Sequence, residues 1–310
     1  MKIIRGLQNL AESHQGSVVT IGNFDGVHTG HQAILKQVKD KAAELGVSSM
    51  LICFEPQPKE FFDEFNAPAR LTRFREKVEL LEENGIDLVL CFKFNERTRS
   101  IEAQDFVDML TKRIRLSALY VGDDFKFGHD RSGDFDLLRE AGAEHGFPVT
   151  NLYTLSMEKL RVSSSHIREY LAQGEFELAE KMLGHPYAIT GKVVYGRQLG
   201  RTLGVPTANI QLHRYRAPID GSYAVEIHGL GDPRRGVANV GVRPTFDEAT
   251  LKPILEVHIF DFDKEIYGKH VKVVFRLKIR DEKKFDGIEQ LKEAIFSDIE
   301  EAKEYFRLNA

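Results

Sequence analysis

Short apolar runs alternate with stretches of helical spacing between residues 18 and 152. Residues 18–21, Val-Val-Thr-Ile, read as a buried strand, and helical periodicity follows over 30–45. Residues 50–54 form the next strand and 74–81 the next helix, with Gly85 placed to cap it. Strands over 87–92, 118–121 and 149–152 follow, with helices over 103–114 and 134–145 between them. This alternation predicts crossover units and a doubly wound parallel sheet, an α/β fold that binds ligands at the carboxyl ends of its strands.

The pattern changes at Gly184-His185-Pro186. Strand signals then dominate, at 191–194, 223–227, 236–240, 255–260 and 271–275, and one amphipathic helix over 287–306 closes the chain. Successive strands without long helices predict a mainly-β barrel or sandwich with a terminal helix. The expected domains are therefore 1–186 and 187–310. A length of 310 residues accommodates two ordinary domains.

Composition narrows the function classes. Apolar residues make up 42% of the chain, as in soluble folded proteins, and no run approaches a membrane span. With 43 basic and 47 acidic residues the net charge is -4, which argues against a nucleic-acid partner. The amino terminus lacks the apolar core of a signal peptide, so a cytoplasmic location is expected. Cys53 and Cys91 lie in apolar strand-like runs and are expected to be reduced core residues. Nothing in the sequence sets an oligomeric state.

Two glycine-rich loops carry the candidate chemistry. The first is Gly22-Asn23-Phe24-Asp25-Gly26-Val27-His28-Thr29-Gly30-His31. It joins a strand to a helix, so its glycines permit close backbone approach and the helix start offers N–H groups to an anion. His28 and His31, three apart, can reach one phosphate together. Zinc needs further ligands, and only Asp25 is near in sequence; stabilising charge at phosphorus is the better role. Arg161 and Arg168 flank Ser163-Ser164-Ser165, a second anion mouth at a helix start.

The second loop is Gly196-Arg197-Gln198-Leu199-Gly200-Arg201-Thr202-Leu203-Gly204, followed by Val205-Pro206-Thr207-Ala208-Asn209. No Gly-Lys-Ser/Thr follows, so it is not a Walker loop. Thr207 and Asn209, two apart on extended chain, share a face and offer the hard oxygens that suit Mg²⁺. In the strand around residue 256, Glu256, His258 and Phe260 share one face, and Glu256 is a candidate general base.

Taken together these motifs resemble the prokaryotic bifunctional riboflavin kinase/FMN adenylyltransferase (FAD synthetase) family. The first loop resembles the His-x-Gly-His signature of nucleotidylyltransferases, which implies a Rossmann-like first domain. Phe54-Glu55-Pro56-Gln57-Pro58, Gly122-Asp123-Asp124-Phe125-Lys126-Phe127-Gly128 and Arg161-Val162-Ser163-Ser164-Ser165-His166-Ile167-Arg168 follow in the family's order, with Val162 for Ile and Ser165 for Thr. Leu203-Gly204-Val205-Pro206-Thr207-Ala208-Asn209 and Glu256-Val257-His258-Ile259-Phe260 resemble its riboflavin kinase segments. The resemblance implies riboflavin, FMN and FAD as substrates or products, ATP as co-substrate and Mg²⁺ as cofactor. It implies Gly22, Phe24, Asp25, Gly30, Arg161, Ser164, Ser165 and Arg168 at the ATP phosphates of the first domain. Pro56, Pro58, Asp124 and Phe125 would face its flavin. Gly196, Arg197, Gly200 and Gly204 would bind ATP in the second, with metal on Thr207 and Asn209. Two other readings are a different nucleotidylyltransferase with an unrelated barrel and a non-enzymatic flavin sensor. The Pro-Thr-Ala-Asn segment argues against the first, and the full set of catalytic candidates argues against the second.

Overall fold

A computed structural model of the chain describes residues 1–122, 125–152, 156–157, 160–196, 199–244 and 251–309. They divide into two compact units. One is Met1–Pro68 with Thr72–Ser163, the other Ala69–Leu71 with Ser164–Ala310.

In the first unit the order is β1 (Lys2–Arg5), β2 (Val18–Ile21), α1 (Thr29–Leu45), β3 (Ser49–Glu55), α2 (Pro58–Phe62), α3 (Phe74–Glu83) and β4 (Leu88–Lys93). Then come α4 (Glu96–Arg99), α5 (Ala103–Asp108), β5 (Ala118–Gly122), α6 (Phe135–His145), β6 (Val149–Leu152) and a short antiparallel pair, β7 (Ser156–Met157) and β8 (Leu160–Arg161). The six-stranded sheet runs β1-β4-β3-β2-β5-β6, every neighbour parallel. Strands buried on both faces explain the continuous apolar runs. Met50 and Ile52 of β3 join one core layer with Phe106 and Leu138, while Leu51 and Cys53 join the other with Leu35 and Leu81. Cys53 and Cys91 are both buried free thiols, as expected, and are register neighbours on β3 and β4.

From β2 the chain proceeds one way to β3 and β4 and the other way to β5 and β6. The reversal between β2 and β5 opens a crevice at the carboxyl edge of the sheet, where ligands of doubly wound folds bind. The loop after β2 is the first glycine-rich motif.

The second unit comprises α7 (Ser164–Gln173), α8 (Phe176–Leu183), β9 (Ala188–Val194), α9 (Leu199–Thr202), β10 (Ala208–Ile210), β11 (Gly221–His228), β12 (Arg234–Pro244), β13 (Leu251–Ile259), β14 (His270–Arg280) and α10 (Ile288–Leu308). Its strands close into an antiparallel barrel in the order β10-β13-β12-β11-β14-β9. α10 covers one outer face through Ile299, Ala302 and Phe306, packed on Val205, Ala224 and Val237.

Compactness places α7 and α8 with the barrel, ahead of the point at which the sequence pattern changes. Phe176 packs at 5.7 Å from the Tyr223 ring and 6.2 Å from that of Phe275, and Lys278 Nζ donates to the Ala172 carbonyl at 3.0 Å. Replacing the buried ring in Phe176→Ala should cost about 3–5 kcal/mol. A fragment of residues 164–310 should accordingly unfold at a higher denaturant concentration than one of residues 187–310. Equal midpoints for the two fragments would show that α7 and α8 contribute nothing to the barrel.

Candidate active sites

The turn from β2 to α1 is strained. Phe24, Gly26 and Val27 take φ of 47°, 85° and 40°. For a β-branched residue such as Val27 the left-handed region is an outlier, costing about 1–3 kcal/mol. A buried clasp holds the turn. Asp25 Oδ1 accepts the Thr72 N–H at 3.0 Å and the Thr72 hydroxyl at 3.3 Å, and Thr72 Oγ1 accepts the Gly26 N–H at 2.9 Å. Phe24 and Val27 sink into the apolar layer with Leu35 and Leu81. Asp25 is therefore turned to Thr72, where a carboxylate does not oppose an incoming anion.

The same turn delivers His28 to the N-cap of α1, where its Nδ1 accepts the His31 N–H at 3.3 Å. That bond leaves the proton of the neutral ring on Nε2. The two imidazoles stack with centroids 3.6 Å apart and planes 16° from parallel, and Phe24 packs against His31 at 4.6 Å. His31 Nδ1 is enclosed and has no hydrogen-bond partner among the described residues. Burial, the His28 ring and the Lys77 ammonium together hold the His31 imidazole well below its usual pKa, so it is neutral at neutral pH. A β carbon on Gly30 would stand 3.2 Å from the His28 ring, which explains the glycine. The Val162 carbonyl, one residue beyond β8, is 3.9 Å from the same point.

The remaining candidates of this motif set lie on several elements. Pro56 follows a cis peptide bond and Pro58 opens α2. Phe125 lies half-buried on the core, stacked 5.7 Å from Phe127. Ser164, Ser165 and Arg168 belong to the first turns of α7 in the second unit, where Arg168 Nε donates to the Ala69 carbonyl. Asp124 and Arg197 lie outside the described residues, as does the side chain of Arg161. Sequence reasoning missed an aromatic patch at the end of β3. Phe62 of α2 is 61% exposed and clusters with Phe61 and Phe94 at ring separations of 5.3–6.0 Å. The available signal was the Phe61-Phe62 doublet directly after Pro58-Lys59-Glu60.

In the barrel, register brings the second set together. Glu256 of β13 stands opposite Asn209 of β10 on one side and Asn239 of β12 on the other, and Asn239 stands opposite Ser222 of β11. Directly opposed residues on antiparallel strands share a face, so these four form one polar row. A cavity of about 210 Å³ is lined by Ser222, Asn239 and Glu256 of this row, with Gly200, Thr207 and Arg280 among others. His258 Nδ1–H donates to the Pro206 carbonyl at 2.8 Å and fixes the entry to β10. A β carbon on Gly196 would collide with the Asn209 amide, and one on Gly200 with the Val205 carbonyl, so the loop wraps tightly over Thr207 and Asn209. Gly204 adopts φ 80°.

Asn209 is buried and its Oδ1 has no hydrogen-bond partner among the described residues. An orphaned hard oxygen next to the Thr207 hydroxyl fits a divalent cation. Asn239, with its amide nitrogen toward Glu282, donates to Glu282 Oε2 at 3.2 Å and to the Gly221 carbonyl at 3.3 Å. Burial pushes the Glu282 carboxyl up, opposed by the Asn239 hydrogen bond and Arg280. Arg280 bridges to α10 through Asp298, with Nε–Oδ1 at 2.9 Å and Nη2–Oδ2 at 2.8 Å.

Residues 10–166 match a family model described as FAD synthetase, and residues 183–306 match one described as riboflavin kinase. The bifunctional riboflavin kinase/FMN adenylyltransferase of Escherichia coli K12 is 49% identical over 99% of both chains. The chain belongs to the bifunctional riboflavin kinase/FMN adenylyltransferase family. The Haemophilus influenzae member of that name is 46% identical, again over 99% of each chain. The crystal structure of a macrolide-efflux protein from Streptococcus pneumoniae is similar to it with a TM-score of 0.78 and 30% identity, over 96% of this chain and 97% of that one. Among the described residues no helix is long and apolar enough to cross a membrane.

The clasp has a direct test. Thr72→Val removes the hydroxyl that serves Asp25 and Gly26 and leaves buried polar groups short of partners. It should lower stability by about 1–3 kcal/mol in denaturant unfolding. An unchanged midpoint would show that the clasp carries no load.

Proposed function

We propose that this chain makes FAD in two ATP-dependent steps, one in each unit. The observation that supports the reading is a pair of separately built polar clusters, each suited to phosphate. One is a stacked histidine pair at a helix mouth; the other is an orphaned amide oxygen beside a carboxylate in barrel register.

In the barrel, riboflavin's 5′-hydroxyl oxygen attacks the γ-phosphorus of ATP. The new O–P bond gives FMN, the bond to the bridging oxygen breaks, and ADP leaves. Glu256 accepts the hydroxyl proton. Thr207 and Asn209 would hold Mg²⁺, which when bound neutralises phosphate charge. Asn209 and Asn239, one on each side of Glu256, fix its lateral position through the strands that carry them. Gly196, Gly200 and Gly204 let the loop backbone approach the nucleotide, with Arg197 beside it.

In the first unit, an FMN phosphate oxygen attacks the α-phosphorus of a second ATP. Pyrophosphate leaves with the electrons of the broken P–O bond, and FAD remains. The nucleophile is already ionised, so no strong base is needed. His28 donates through Nε2–H to the oxygens that gain charge, and neutral His31 supports it in the stack. Gly22 and Gly30 leave room for the nucleotide, Phe24 packs the histidine stack, and Asp25 holds the turn. The exposed Phe62 ring, on the helix that Pro56 and Pro58 lead into, offers the isoalloxazine an aromatic surface beside the Phe125 candidate.

His28→Ala combined with His31→Ala should lower FAD formation from FMN by roughly 10²–10³ and leave riboflavin phosphorylation intact. Chromatography of the flavin products reads both steps, and a wild-type rate of FAD formation would remove the histidines from the site.

Glu256→Gln keeps shape and hydrogen bonding but cannot take the proton. Riboflavin phosphorylation should fall by roughly 10²–10⁴ while supplied FMN is still adenylylated. Full kinase activity in this variant would take Glu256 out of the mechanism; loss of both activities with a lowered melting midpoint would indicate misfolding.

A further inference from the structure

α3 buries a charge that neither step uses. Lys77 is 0% exposed, and its Nζ has no hydrogen-bond partner among the described residues. The adjacent acid, Glu76, is turned to Arg73, whose N–H it accepts at 2.6 Å. An ammonium taken out of water without a partner costs several kcal/mol, and a methionine would fill the space without that cost. Such a group persists where function requires it.

Helix phase locates the charge. α1 and α3 each follow a parallel strand, begin at the carboxyl edge of the sheet and run back along it. Leu35 of α1 and Leu81 of α3 meet in one apolar layer. His31 lies one turn before Leu35 and Lys77 one turn before Leu81, so both stand a turn closer to the carboxyl edge. The effects of the Lys77 charge agree with this position. It contributes to the lowered pKa of His31, and it acts on Cys53 and Cys91 near the ends of β3 and β4. His31 Nδ1 is likewise enclosed without a hydrogen-bond partner among the described residues.

We propose that Lys77 is a positioning residue for adenylyl transfer: its buried ammonium is the fixed positive charge against which the His31 ring and the phosphates of ATP are set. The proposal rests on reading the first unit as the adenylyl-transfer site. In a dry layer one charge acts far more strongly than in water, and it needs no rearrangement as negative charge builds on the leaving pyrophosphate. The group acts through its field and through His31, which its charge reaches together with Cys53 and Cys91.

The full-length Lys77→Met variant tests this. FAD formation from FMN and ATP should fall by about tenfold or more, most of it in kcat, while riboflavin phosphorylation is unchanged. The melting midpoint should stay level or rise, because an unpaired buried charge has gone. The imidazole C2–H resonance of His31 should titrate at higher pH than in wild type. Lys77→Arg, which keeps the charge, should recover part of the rate. A Lys77→Met protein with wild-type FAD formation overturns the proposal. So does a slowed variant with a lowered midpoint, an unmoved His31 titration and no recovery in Lys77→Arg, because that combination marks a purely structural lysine. Should wild type form no FAD, the reading of the first unit fails instead, and the His31 titration still decides whether Lys77 governs the ring.

Discussion

The first site depends on three buried hydrogen bonds among Asp25, Gly26 and Thr72. They hold a left-handed turn that contains a β-branched residue, and only that turn puts His28 at the cap of α1 and stacks it on His31. The apolar side chains in the same turn are not incidental. Burial of Phe24 and Val27 offsets backbone strain that the hydrogen bonds alone would not hold. Sheet, turn and helix mouth thus form one mechanical unit, with Thr72 reaching in from a segment remote in sequence.

On the proposed reading the second unit meets the same demand, close approach to a polyphosphate, by another route. There the oxygens come from side chains on adjacent strands, and the glycine loop is pressed onto them. Gly196 and Gly200 are required by contact with Asn209 and Val205 and not by their own dihedral angles. The ion pair of Arg280 with Asp298 ties α10 to the strand that borders the cavity. Terminal helix and site are therefore linked by a directional contact as well as by apolar packing.

Much of this was legible in the sequence because parallel strands buried on both faces leave apolar runs, as β3, β4 and β5 do. β1 was not legible: only Ile4 of its residues is buried, so it makes no run. α7 was read only as a helix start at the serine run and α8 was not read at all, both being short and separated at Gly174, which takes φ 84°. The glycine loops and the polar residues near them were legible from spacing. What spacing could not supply was register, since β10 is three residues long and its pairing with β13 is a property of barrel closure. Lys77 was invisible for a different reason: a lysine within a helical pattern reads as a solvated residue, and only the packed structure shows it fully buried with no hydrogen-bond partner among the described residues.

The polar row across the barrel ties chemistry to architecture. Asn209, Glu256, Asn239 and Ser222 keep their spacing through main-chain ladders, so no single side chain's rotamer sets it. A slip of one residue in β13 would send Glu256 to the opposite face while leaving most strand hydrogen bonds possible. Phosphorylation by this unit is therefore a sensitive gauge of correct strand alignment. A misregistered barrel could retain its secondary structure and still be catalytically silent, so turnover distinguishes the native pairing from near-native ones that spectroscopy would not separate.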